Sequence, residues 1–151
     1  MSTKQKVIEC IAALFILLFL YTSISKFLDF RHFFAQMNNQ PFPKSWTPFL
    51  VWGIPCLEIT ISVALFFERT RLAGLCTALV LMGLFTFYTA AILLHFFPYI
   101  PCSCGGVIQQ LTWRQHLVFN LFFVALAVWG ILLQRKHSFT FISITNKNSF
   151  K

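Results

Sequence analysis

Four apolar runs decide what this chain can fold into. They cover about 7–24, 48–67, 72–97 and 113–133. A helix needs roughly 20 such residues to cross a hydrocarbon core about 30 Å thick. The composition agrees, with 58% apolar and only 11% charged residues, against a charged share of about 25% in ordinary soluble domains. The expected fold is all-α, an integral membrane four-helix bundle over residues 1–134 with a short tail at 135–151. Too few residues remain outside the runs for a soluble catalytic domain.

The first run opens after Lys4 and Lys6. Ser23-Ile24-Ser25 has the small residues of a signal-peptide cleavage site. Helical patterning continues past it, however, with Phe27, Phe30, Phe34 and Met37 recurring at three- and four-residue intervals. A straight helix from Val7 to Met37 would be about 46 Å long, too long for the core. The pattern therefore predicts a membrane helix that kinks into an interfacial amphipathic segment and ends at Asn38, Asn39, Pro41 and Pro43. Trp46 and Trp52 mark the entry of the second run at headgroup level, and Pro55 is placed to kink it. Glu68-Arg69-Thr70-Arg71 is a tight polar turn. Thr112 and Gln115 have the spacing of a capping box that starts the fourth helix. The tail is polar and is expected to be poorly ordered.

The net charge of +8 does not point to nucleic acid, because the basic residues cluster at the ends of apolar runs, where they set orientation. With four spans, Lys4, Lys6, Arg69, Arg71, Arg135, Lys136, Lys147 and Lys151 share one side, and Lys26, Arg31, Lys44 and Arg114 the other. This bias predicts a bacterial cytoplasmic (inner) membrane protein with both termini in the cytoplasm. The loop at 98–112 then faces the periplasm, where disulfides form and persist.

That loop holds Pro101-Cys102-Ser103-Cys104-Gly105-Gly106. Cysteines at i and i+2 close a disulfide only with the backbone bent, and a strained bond is easily reduced. The reactive species is the thiolate. His95 and His116 flank the loop, and a histidinium near the thiols would stabilise a thiolate and pass its proton. Cys102, Cys104, His95 and His116 are also an adequate zinc or copper set, although the spacing is not that of a usual structural zinc site. A third reading is an assembly factor that binds through the loop without electron transfer.

Glu58 lies about 15 Å into the second run at 1.5 Å per residue. A carboxylate at that depth is costly and functional by default. It is expected to be protonated or bonded to hydroxyls such as Tyr88, Thr86 or Thr89. Its two readings are a proton carrier coupled to thiol oxidation, with a quinone as a possible cofactor, and a polar clamp between helices. Lys26 and Asp29, at i and i+3, suggest an interfacial ion pair. Cys10, Cys56 and Cys76 sit in apolar helices and read as packing residues.

Taken together, the short-looped helices, the stretch Ser25-Lys26-Phe27 to Asp29-Phe30, Glu58 and the Cys102-Ser103-Cys104-Gly105-Gly106 loop resemble the MauE (methylamine utilisation) family. That family sits within the wider DoxX-like group of redox-associated membrane proteins. The resemblance extends to about Gln134. It implies a membrane partner for periplasmic disulfide chemistry, linked with a thioredoxin-like protein and with maturation of the disulfide-rich small subunit of methylamine dehydrogenase.

Overall fold

The computed structural model describes residues 3–96 and 111–148, with side chains in the last helix described through residue 135. The elements in order are α1 (Thr3–Leu28), α2 (Phe30–Asn38), a 3₁₀ turn (Lys44–Trp46), α3 (Thr47–Phe66), α4 (Arg71–Leu93) and α5 (Trp113–Asn148). Among the described residues, four segments are long and apolar enough to cross a membrane: Thr3–Leu28, Lys44–Phe66, Arg71–Leu93 and Trp113–Arg135. The protein is an all-α, multi-pass membrane bundle, and no strand occurs among the described residues.

The helices form a ring. α1 packs along α3 and α4 along α5, and contacts of α3 with α4 and of α1 with α5 close it. The buried faces follow helical spacing: Ile11, Phe15 and Phe19 on α1, Ile61 and Leu65 on α3, Leu75, Ala78 and Met82 on α4, and Phe123, Ala127 and Ile131 on α5. Lipid tails are as apolar as these side chains, so close packing rather than burial from water holds the helices together. Gly74 shows how close. A Cβ there would stand 3.0 Å from the Leu65 side chain and 3.1 Å from its backbone nitrogen.

The ends of the helices are closed by specific bonds. In the α3–α4 turn, the Thr70 hydroxyl donates to the Ala64 carbonyl at 2.7 Å, and Arg71 Nε donates to the Leu65 carbonyl at 3.5 Å. Both serve carbonyls that the end of α3 would otherwise leave unpaired. At the other end of α4, His95 N–H reaches the Ile92 carbonyl and Phe96 N–H the Ala91 carbonyl, both at 3.0 Å. These two bonds make a Schellman motif. Thr112 and Gln115 form the capping box: Thr112 N–H donates to Gln115 Oε1 at 2.9 Å, and Gln115 N–H to Thr112 Oγ1 at 3.4 Å. α5 then runs on to Asn148, through the segment the sequence suggests is poorly ordered.

The first helix breaks at Asp29, which stands between α1 and α2 with φ −118° and ψ 55° and makes no side-chain cap. α2 is the amphipathic segment. Phe33 and Met37 are buried against Val51 of α3, while Arg31, His32 and Phe34 are exposed.

Candidate functional site

The most buried charge among the described residues is Glu58, 1% exposed. Its Oε1 lies 2.5 Å from Lys26 Nζ, and Lys26 is itself only 8% exposed. Ser23 completes the cluster, donating to Glu58 Oε2 at 2.9 Å and approaching the Pro55 carbonyl at 3.3 Å. A hydroxyl has one proton; the shorter distance and the carboxylate charge assign it to Glu58. Ser23 and Lys26 share a face of α1 because they are three residues apart. Both carboxylate oxygens of Glu58 thus have a partner from the neighbouring helix.

The arrangement of helix ends explains the burial. Lys26 is two residues from the end of α1, whereas Glu58 lies about 16 Å along α3 from Thr47 at 1.5 Å per residue. α3 therefore continues beyond the level at which α1 stops. α2 folds over and packs on that extra length, and its Phe33 ring lies 5.8 Å from Lys26 Nζ. The ammonium is held between a carboxylate and an aromatic face, two favourable contacts for a cation. Two ions taken out of water cost several kcal/mol each, and their attraction offsets this only with good geometry and further hydrogen bonds. The short contact, Ser23 and Phe33 supply those conditions.

This arrangement corrects two expectations. Lys26 pairs with Glu58, not with Asp29, which is exposed at the helix break. Nor do the α4 hydroxyls serve Glu58. Thr86 and Thr89 each donate to a carbonyl one turn back on their own helix, Met82 and Phe85, at 2.7 Å. Tyr88 instead bonds the Gln40 side chain. Threonine hydroxyls in helices readily find such local acceptors. Ser23 has a legible signal, a hydroxyl one turn before a lysine within an apolar run. Gln36 and Gln40 do too: with His32 they form a polar stripe at four-residue intervals, and both are buried. His32 Nε2 and Gln36 Nε2 lie 2.8 Å apart, and the Gln40 amide donates to the Gln36 carbonyl at 3.2 Å.

The other candidate residues lie at the stems of the thiol loop. His95 follows the C-cap residue Leu94, two positions past α4, with φ 56°, a left-handed conformation that glycine adopts freely and other residues at a cost. His116 is in the first turn of α5, its Nδ1 buried and without a hydrogen-bond partner and its ring 6.3 Å from that of Trp113. One turn further in, buried Asn120 donates to Thr89 Oγ1 of α4 at 3.4 Å, tying the two stem helices together. Cys102 and Cys104 lie outside the described residues. No cluster of three or more His, Cys, Asp or Glu side chains suited to a metal occurs among the described residues.

The family model described as methylamine utilisation protein MauE matches residues 4–133. The chain belongs to the MauE family. That match takes in all four helices of spanning length, the Ser23–Lys26–Glu58 cluster and the loop with both cysteines. Comparison with curated proteins and with solved structures finds no match.

Proposed function

We propose that this MauE-family chain is a thiol–disulfide redox protein of the bacterial cytoplasmic membrane, exchanging electrons through Cys102 and Cys104 with a thioredoxin-like protein in the periplasm. The observation that carries the reading is the Cys102-Ser103-Cys104-Gly105-Gly106 sequence in a membrane protein of this family. The bias of lysine and arginine toward the side of the termini supports a periplasmic loop. The description of the family, methylamine utilisation, supports a client in that process, whose disulfides the exchange would help to form.

Each exchange step balances between the two partners, while forming new disulfides in a client also passes two electrons per disulfide to an acceptor, for which a membrane quinone is the proposed class. A thiolate of one partner attacks a disulfide sulfur of the other, a mixed disulfide forms, and the second thiol of the attacking pair resolves it. Two electrons pass, and the protons lost by the new disulfide's thiols go to the thiolates released. His95 and His116, at the two stems, are the proposed proton carriers. Glu58, paired with Lys26, is proposed to take part in the proton handling that accompanies the exchange.

Trapping tests the reading. Cys104→Ala and Cys102→Ala should each be expressed in a host with a periplasm, with free thiols blocked at harvest. One of the two should accumulate a mixed disulfide with a soluble periplasmic protein, released by reductant. If neither variant traps a partner and the wild-type pair holds one oxidation state throughout, the proposal is wrong.

A further inference from the structure

Outside the site just described, the least compensated feature is the ledge where α3 enters the membrane. Among the described residues the structure pairs only Lys26 with a carboxylate. Arg31 on α2, Lys44 in the 3₁₀ turn and Arg114 at the start of α5 are all exposed, and Asp29 is the one exposed acid at this end of the described bundle. Beside Lys44 is an open groove of about 430 Å³ lined by Ser45, Trp46, Phe49 and Leu50. Its aromatic walls are uncovered, Trp46 being 61% and Phe49 79% exposed. The groove is shallow and open along one side, and its lining is apolar apart from Ser45.

What covers this groove follows from where it lies. It sits in the first turns of the segment Lys44–Phe66, which is long and apolar enough to cross a membrane. Tryptophan in that position belongs at the headgroup level. Moving down the helix from Lys44, the surroundings change from phosphate to acyl chain, and the side chains change in the same order, from a cation to an indole to a phenyl ring. We propose that this ledge is a binding site for an anionic phospholipid, with the phosphate on Lys44 and the upper part of an acyl chain in the groove between Trp46 and Phe49. The site is independent of the thiol chemistry proposed above.

The experiment uses the full chain in nanodiscs of phosphatidylcholine mixed with phosphatidylglycerol. Lipid retained on release from the disc is read by native mass spectrometry. The wild type should retain phosphatidylglycerol in preference to phosphatidylcholine. Lys44→Gln should reduce that preference about fivefold, the factor for one basic residue near an anionic surface worth about 1 kcal/mol. Arg69→Gln, in the turn at the opposite end of the bundle, should leave it unchanged. In a variant keeping Trp46 as its sole tryptophan, spin-labelled phosphatidylglycerol should quench fluorescence more strongly than spin-labelled phosphatidylcholine. Added glycerol phosphate should not compete, because it has no chain for the groove. Equal retention of the two lipids, an unaltered preference in Lys44→Gln, or full competition by glycerol phosphate would each overturn the proposal. Lys44 is exposed and makes no ion pair with a described residue, so the variant should fold; circular dichroism checks that it does.

Discussion

At the scale of single residues, the Lys26–Glu58 contact carries the sharpest consequence. Replacing Glu58 with Gln keeps the shape but leaves a buried ammonium without its counter-charge. Breaking a buried pair from one side costs about 3–5 kcal/mol, whereas replacing both ions with apolar residues of similar size is often neutral. Thermal unfolding in detergent should therefore show Glu58→Gln and Lys26→Met each strongly destabilised, and the double change Lys26→Met with Glu58→Met close to wild type. Under the proposed role, that double variant folds yet exchanges thiols more slowly; unaltered exchange would reduce the pair to a clamp. His95 makes a complementary case. Its left-handed conformation costs a side-chain-bearing residue about 1 kcal/mol or more, so His95→Gly should raise stability by about that amount. A position that keeps histidine where glycine would hold the turn better is a place to look for function. The expected result is a more stable protein with slower thiol exchange. If exchange is unchanged, the imidazole has no part in it.

Helix by helix, the sequence was most informative where the signal is local. Hydropathy locates the apolar runs, the spacing of Phe30, Phe34 and Met37 announces α2, and Thr112 with Gln115 marks the start of α5. Signals that join distant parts of the chain were not legible. Lys26 has an acid three residues away, but its partner lies 32 residues on. Only the packing of α1 on α3 brings Glu58 within reach. The expected bonds from Glu58 to α4 failed for a related reason: residue type says that a hydroxyl needs a partner, not that Thr86 and Thr89 find one on their own helix. Close approach between helices is likewise invisible in sequence, and it can be tested. Gly74→Ala would place a methyl group against the Leu65 backbone, where neither side can easily yield. Overpacking of this kind costs about 1–3 kcal/mol, and a lower unfolding temperature should show it. Gly83→Ala has nothing within 4 Å of the added atom and is the control that should not lose stability.

For the molecule as a whole, the question is which way the bundle sits in the membrane, because the proposed chemistry needs the thiols on the oxidising side. The helices are nearly uncharged within their spans, so their packing is indifferent to direction. Orientation must come from the flanking lysines and arginines, eight on the side of the termini and four on the other. Such a bias acts through short loops close to the spans, and Arg69 and Arg71 in the α3–α4 turn contribute from a loop of that kind. Two variants separate the alternatives, each made in a background with the other cysteines replaced by Ser. One keeps only Cys104; the other carries a single cysteine at Glu68→Cys. A membrane-impermeant maleimide should label Cys104 in right-side-out vesicles and the Glu68→Cys protein only in inside-out vesicles. The reverse pattern would put the thiols in a reducing compartment, where a dithiol stays reduced and electron exchange with a periplasmic partner is impossible. Changing Arg69 and Arg71 together to Gln then probes the cause. Moving two charges out of the count leaves six against four, so the double variant should show mixed labelling of Cys104 where the parent shows one orientation.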